Sequence, residues 1–167
     1  PKYSNPTGDV YSDAVVARIA ALGNEAHATF RVLWDNAYAV HHLTDKRAQI
    51  ANIMTLAEQL GTADSIILIA STSKVTFAGA GIAFLGASEF NLASFKRYLD
   101  AMTIGPDKVN QLRHVKFLKD MPTVFDHMQR HREILAPKFA CVHSHLEQGL
   151  QGMGRWTQPE GGYFVSF

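Results

Sequence analysis

Apolar and polar residues follow one another in the first part of the chain with the spacing of alternating helices and strands. Residues 9–22 carry apolar positions at helical intervals, with Asp9 or Ser12 available as the N-cap and Gly23 as a stop. Residues 29–34 are rich in β-branched and aromatic side chains, which favours a strand. The pattern therefore predicts a helix that leads into a strand.

The next segment repeats this order. An amphipathic helix is predicted over 45–60, beginning at Asp45 and stopped by Gly61. Its predicted buried side consists of Ile50, Ile53, Met54 and Leu60. Apolar runs at 65–70 and 82–86 predict two further strands. The link between these runs is too short for a helical crossover, so we expect one antiparallel strand in an otherwise parallel sheet.

Helical patterns dominate the rest of the chain. Residues 88–101 and 107–120 are predicted as helices, and one long apolar face runs from Thr123 to about Gly149. Pro137 lies inside this long helix and is expected to bend it. The residues of its apolar face are Phe125, Met128, Leu135, Phe139, Val142, Leu146 and Leu150. Residues 156–167 are expected to begin the sheet of a second domain.

These elements predict an α/β fold with three parts. Residues 1–121 are expected to belong to a large domain with a mostly parallel sheet, one antiparallel strand and flanking helices. Residues 122–152 are expected to form a long bent connecting helix, and 153–167 to begin a small α+β domain. This organisation is the expected fold class.

Composition changes this picture little. The chain is 47% hydrophobic and 19% charged with a net charge of +1, which is typical of a globular protein and gives no sign of nucleic-acid or membrane binding. No apolar run reaches the roughly 18 residues of a membrane span, and Cys141 is the only cysteine, so we expect a cytoplasmic protein. His127 and His131 have a spacing that can hold zinc, but no acidic or cysteine cluster joins them, so no metal is expected.

Lys74 is the first candidate for chemistry. It lies in the string Ser71-Thr72-Ser73-Lys74, directly after a buried strand and before a glycine-containing stretch. A lysine at such a strand end, partly buried in a crevice, is suited to form a Schiff base with pyridoxal phosphate (PLP), and the hydroxyls of Ser71 and Ser73 are suited to its phosphate. A surface lysine in a Ser/Gly turn fits the same string about equally well.

Residues upstream of Lys74 favour the cofactor interpretation. Asp35 and Tyr38 follow the strand 29–34, and Asn5 belongs to the tight-turn string Asn-Pro-Thr-Gly. A carboxylate at one strand end and a lysine at the next meet at one edge of a parallel sheet. PLP needs an anion at its pyridine nitrogen and donors near its ring hydroxyl. Each residue also has a purely structural explanation, but their combination and order favour a joint role.

The chain resembles the fold type I PLP-dependent aminotransferases. The resemblance lies in four strings: NPTG at 5–8, DNAY at 35–38, STSK at 71–74 and GGYF at 161–164. The stretches STSKVTFAGAGIAFLGAS and TIGPDKVNQLRH look like the bacterial aspartate aminotransferase subgroup often labelled MocR-type. The resemblance covers essentially all 167 residues.

This resemblance implies a role for each candidate residue. Lys74 looks like the Schiff-base lysine, Asp35 the partner of the pyridine nitrogen, and Tyr38 and Asn5 the donors to the ring oxygen. Ser71 and Ser73 look like phosphate ligands. Relatives commonly carry a phosphate-binding arginine seven or eight residues after the lysine, where this chain has glycine and isoleucine at 81 and 82.

The resemblance also implies an activity. We expect PLP-dependent transamination of an amino acid, aspartate with 2-oxoglutarate as acceptor, by a homodimer of longer subunits of which this chain is an internal fragment. We expect the isolated fragment to be inactive. Alternatives are the PLP domain of a transcriptional regulator, which an upstream winged helix-turn-helix would indicate, and another fold type I enzyme such as an alanine transaminase or a β-lyase.

Overall fold

The computed structural model describes residues 1–167, which divide into two compact units. The first, here called the sheet unit, comprises residues 11–37 and 50–117. The second, here called the helix unit, comprises residues 1–10, 38–49 and 118–167. Each unit therefore combines segments that are distant in sequence. The three domains expected from the sequence follow chain order instead, and that division stays a prediction.

The sheet unit contains most of the regular elements. Its helices are α1 (Asp13–Ala21), α2 (Ile53–Gln59), α3 (Glu89–Met102) and α4 (Lys108–Leu118), whose last residue is assigned to the helix unit. Its strands are β1 (Val32–Asp35), β2 (Ile66–Ser71) and β3 (Ala83–Ala87). Helix α1 begins where the Ser12 side chain accepts a hydrogen bond from the amide of Val15, as expected for an N-cap serine.

The three strands form one mixed sheet in the order β1-β2-β3. Strands β1 and β2 are parallel, with Asp35 opposite Ile69, whereas β3 runs antiparallel to β2, with Ala83 opposite Ser71. The predicted antiparallel strand is thus confirmed, because the short link after β2 leaves no room for a crossover helix. The expected fold class, a mixed α/β sheet with flanking helices, is confirmed.

The hydrophobic core of the sheet unit lies between α1, α2 and the sheet. Its buried members are Val16, Ala20, Trp34, Ile53, Ala57 and Ile66. Tyr11 meets the Trp34 ring edge-on at 6.0 Å. Burying each large aliphatic side chain contributes about 1.5–3 kcal/mol, so this cluster anchors β1 and β2 against the two helices.

The predicted start of the second helix is wrong. Helix α2 begins only after Asn52, whose side-chain oxygen accepts hydrogen bonds from the amides of Met54 and Thr55 at 3.0 and 3.3 Å. Asp45 does not cap a helix and instead forms an ion pair with Arg132. Leu60 is 41% exposed rather than buried, because it lies beyond the last turn of the helix. A cap inside the amphipathic pattern therefore set the boundary.

The helix unit is built around α5 (Met121–Leu150). The helix starts where the Asp120 side chain accepts from the amide of Thr123, and it continues through Pro137, which confirms the predicted long helix. Of its predicted apolar face only Met128 is fully buried in this chain, and Val142 is 46% exposed. None of the helices is both long and apolar enough to cross a bilayer.

The sequence predicts that residues 156–167 begin the sheet of a second domain, and that domain stays a prediction. In this chain the segment contains no strand and pairs only through an isolated bridge between His42 and Gly161. Gly162 has a φ of +82°, in the left-handed region.

Candidate active site

An open cleft of about 810 Å³ lies in the sheet unit where β1 and β2 end. Asp35, Ser71 and Lys74 all line it. Because β1 and β2 are parallel and Asp35 pairs with Ile69, the carboxyl ends of both strands reach the same edge of the sheet. Strand pairing therefore brings together three of the residues that the sequence singled out.

The carboxylate of Asp35 is oriented by the backbone. Its Oδ1 accepts a hydrogen bond from the amide of Ala37 at 3.0 Å, and the residue is exposed to the cleft. The bond gives the side chain a defined direction just beyond the strand. An oriented, solvated carboxylate is suited to hold a positively charged N–H group.

The loop after β2 carries Lys74. The amides of Val75 and Thr76 donate to the carbonyl of Thr72 at 2.9 and 2.8 Å, which winds the chain into a turn at the lysine. The Ser73 amide donates to Ser71 Oγ at 3.4 Å. The partial burial expected for Lys74 is not found in this chain, because its side chain is exposed where the turn opens into the cleft.

A buried polar network underlies this loop. Thr72 and His114 are each 8% exposed, and Thr72 Oγ1 lies 3.0 Å from His114 Nε2. Thr76 Oγ1 lies 2.9 Å from the same nitrogen, and His114 Nδ1 lies 2.9 Å from the carbonyl of Asn110. The sequence analysis missed His114, since nothing in its local pattern sets it apart from the chain's other histidines.

The segment that replaces the expected arginine closes the same loop. A Cβ at Gly81 would lie only 2.6 Å from Ser73 Oγ and 2.7 Å from the Ser73 amide nitrogen, so position 81 has no room for a side chain. The amide of Ile82 donates to Thr72 Oγ1, and the carbonyl of Ile82 accepts from the amide of Thr72. Lys96 of α3 lines the cleft and brings a second cation to it.

Tyr38 lies in the helix unit and is only 8% exposed. Its ring meets His41, Tyr163 and Phe164 edge-on at 5.5, 6.0 and 5.9 Å. Burial raises the pKa of Tyr163, and the neighbouring Tyr38 adds to the effect. The string GGYF and the tyrosine of DNAY therefore pack together although they are far apart in sequence.

Asn5 also lies in the helix unit, at the exposed tip of a tight turn. The amide of Gly8 donates to the carbonyl of Ser4 at 2.7 Å, and the amide of Ser4 donates to the carbonyl of Asp9 at 2.9 Å. Gly8 has a φ of +76°, which a glycine adopts without strain. The predicted turn is confirmed, and it presents the Asn5 side chain to solvent.

Comparison with known proteins identifies the family. The family model described as aspartate amino-transferase matches residues 1–167. The chain belongs to this family. The resemblance carried by the four strings is thereby confirmed over the whole chain.

Individual relatives of this chain are also described as aminotransferases. An aspartate aminotransferase of Corynebacterium glutamicum is 42% identical over 99% of this chain and 39% of its own length. A solved structure of an aspartate transaminase from the same organism matches with a TM-score of 0.92 at 41% identity, again covering 99% of this chain and 39% of that one. The chain thus spans about two-fifths of the length of these aminotransferases.

A more distant structure shares the fold. The α-aminoadipate aminotransferase of Thermus thermophilus, solved in complex with N-(5'-phosphopyridoxyl)-L-leucine, matches with a TM-score of 0.80 at 24% identity. The match covers 99% of this chain and 41% of that protein. The arrangement of helices and strands is therefore common to aminotransferases well beyond the near relatives.

Proposed function

We propose that the protein containing this chain is a PLP-dependent aminotransferase. The observation that carries the proposal is that Asp35, Ser71 and Lys74 line one cleft at the ends of two neighbouring parallel strands in a member of this family. A carboxylate, a hydroxyl and an amine at one sheet edge form a donor and acceptor set that few other cofactors need together.

The residues present fit PLP group by group. Lys74 would supply a primary amine for the aldehyde carbon, Asp35 an anion for the protonated ring nitrogen, and Ser71 a hydroxyl for the phosphate. Ser73 does not line the cleft and is proposed as a second phosphate ligand because the resemblance implies it. The volume of the cleft, about 810 Å³, lies in the range of small-molecule sites. Gly81 lies against Ser73 with no intervening side chain, which keeps the loop compact beside these hydroxyls.

PLP, when bound, supplies an electron sink for the carbanion that forms at the amino-acid α-carbon. Asp35 would place its carboxylate at the ring nitrogen and so would hold a proton there. The amide of Ala37 fixes the direction of the carboxylate before any ligand arrives. A preoriented charge of this kind acts without a reorganisation cost during the reaction.

Lys74 has two tasks in this proposal. Its Nζ would hold the cofactor and, once freed by the incoming amino group, would carry the α-proton as general base and general acid. Tyr38 and Asn5 are proposed as donors to the ring oxygen, as the resemblance implies.

Aspartate with 2-oxoglutarate as acceptor is the proposed substrate pair. The two relatives described as an aspartate aminotransferase and an aspartate transaminase, at 42% and 41% identity, support it. We also propose a cytoplasmic homodimer, as the resemblance implies. Sedimentation equilibrium of the intact protein tests the dimer directly.

The activity is tested in the intact protein with aspartate and 2-oxoglutarate, by following oxaloacetate formation with a coupled dehydrogenase. Lys74→Ala is expected to lose turnover by at least about a thousandfold, because the covalent anchor and the proton carrier are both removed. Lys96→Ala is the matched control, since Lys96 lines the same cleft without an assigned role. Near-normal turnover in Lys74→Ala, or an equal loss in both variants, contradicts the proposed function.

A further inference from the structure

We propose that His114 is a positioning residue that locks the Lys74 loop through Thr72. This pair is called the His114 clamp below. Its consequence for catalysis rests on the proposed function, whereas its effect on the loop does not. The proposal depends on a closed set of hydrogen bonds whose donors and acceptors can be assigned.

The tautomer of His114 follows from its neighbours. Nδ1 lies 2.9 Å from the carbonyl oxygen of Asn110, which can only accept, so Nδ1 carries the hydrogen. In a neutral ring Nε2 is then an acceptor, and Thr72 Oγ1 lies 3.0 Å from it. Thr76 Oγ1 lies 2.9 Å from the same nitrogen, but its hydrogen goes to the carbonyl of Thr72, so we assign the Thr72 hydroxyl as the donor to the histidine.

Thr72 also closes the loop at its base. Its Oγ1 accepts from the amide of Ile82 at 2.8 Å, and its own amide donates to the carbonyl of Ile82 at 2.9 Å. Thr76 Oγ1 donates to the carbonyl of Thr72 at 3.1 Å. With these assignments the Thr72 hydroxyl makes one bond as donor and one as acceptor, and it links α4 to both ends of the loop that carries Lys74.

The clamp matters because Lys74 lies inside the loop that it closes. The backbone of residues 72–82 sets where the Lys74 side chain begins. Thr72 and His114 are nearly inaccessible, and a buried polar network is rigid only when its members are satisfied. A misplacement of about 1 Å at a reacting group can slow a reaction about a hundredfold.

Two pairs of substitutions isolate the clamp. Thr72→Val keeps the side-chain shape and removes the hydroxyl, whereas Thr72→Ser keeps the hydroxyl. His114→Gln places an amide oxygen near the position of Nε2, whereas His114→Asn reaches only as far as Nδ1. Thr62→Val is the matched control, because Thr62 is 4% exposed and its hydroxyl donates to the carbonyl of Ala20, away from the loop.

Hydrogen exchange of the intact protein without cofactor reports on the loop directly. Thr72→Val and His114→Asn are expected to speed exchange of the Ile82 amide about tenfold, because a buried hydrogen bond is lost. Thr72→Ser and His114→Gln are expected to stay within about threefold of the unmodified protein, and Thr62→Val to leave this amide unchanged. Unchanged Ile82 exchange in both disruptive variants overturns the clamp. If Thr72→Val does not fold, the His114 pair gives the same comparison.

Steady-state kinetics reports on the positioning role. In the disruptive variants kcat is expected to fall about ten- to a hundredfold while KM for aspartate stays within about threefold, with recovery in Thr72→Ser and His114→Gln. Faster loop exchange with an unchanged kcat overturns the positioning role. If the unmodified protein lacks transaminase activity, the proposed function fails, and hydrogen exchange still decides whether the clamp exists.

Discussion

The two units hold their candidate residues by different means. In the sheet unit Asp35 ends β1 and Lys74 lies in the loop after β2, and the parallel pairing of these strands places both residues at one edge of the sheet. A hydrogen bond from the backbone then orients the Asp35 carboxylate. In the helix unit Tyr38 is held by ring contacts to Tyr163 and Phe164, which are more than 100 residues away along the chain. The position of a residue at a strand end is set by the pairing of neighbouring strands, whereas the position of a residue in an aromatic cluster depends on segments far away in sequence.

This difference predicts unequal effects of substitution in the two units. Asp35→Asn keeps the size of the side chain and removes its charge, so we expect turnover to fall by about three orders of magnitude or more, with only modestly weaker cofactor binding. Tyr38→Phe removes one hydroxyl and keeps the buried ring, so a loss of about ten- to a hundredfold is expected. Turnover measurements and PLP titration of both variants check whether Asp35→Asn loses more activity than Tyr38→Phe. Near-normal turnover in Asp35→Asn would contradict the predicted difference.

The stability of the helix unit depends on close packing at Gly161. A Cβ at Gly161 would overlap the ring of Tyr3 and the carbonyl of His41, so Gly161→Ala is expected to cost about 2–3 kcal/mol of unfolding free energy. Gly149→Ala is the control, because that position in α5 is open, and there alanine is expected to stabilise by about 0.5–1 kcal/mol. Urea unfolding of the intact protein measures both, and equal effects would contradict the close packing at Gly161.

The helix unit should also respond to acid through His42. Its Nδ1 lies 2.7 Å from the Tyr3 hydroxyl, and burial together with nearby Lys2 and Arg47 lowers its pKa to about 4. The folded state therefore resists protonation of this ring more than the unfolded chain does, so its contribution is complete above about pH 6.5 and is lost as the pH falls towards 4.

The expected size is on the order of 1 kcal/mol, because solvent screens a partly exposed ring. Melting temperatures of the intact protein between pH 7.5 and 4.5 show the effect. His42→Asn, which can still accept from Tyr3 but does not titrate, is expected to give a flatter dependence. Parallel curves for the two proteins would remove His42 as the cause.

The same contrast explains what sequence could predict. Strands β1 to β3, the antiparallel pairing and helix α5 were predicted because periodicity and link length are local properties. Asp35 and Lys74 could be placed in one cleft because parallel strands end at a common edge. The resemblance identified the family from short strings that the comparisons confirm over the full chain.

Sequence-based prediction was incomplete where a single residue decides the local backbone and where residues distant in sequence come into contact. The Asn52 side chain started α2 seven residues after the predicted Asp45, because it caps two amides at once. Residues 156–167 form no strand in this chain, and Gly162 within them has a left-handed conformation. The contact between His114 and Thr72 joins residues 42 apart, so no local pattern announces it.

The central claim is that Lys74, at the strand edge it shares with Asp35, is the covalent anchor of PLP. The most direct measurement is borohydride reduction of the intact protein with PLP, followed by peptide mass spectrometry. The account predicts a pyridoxyl group on Lys74 and none on Lys96, the other lysine of the same cleft. A pyridoxyl group on Lys96 or on any other lysine, with Lys74 unmodified, would contradict it.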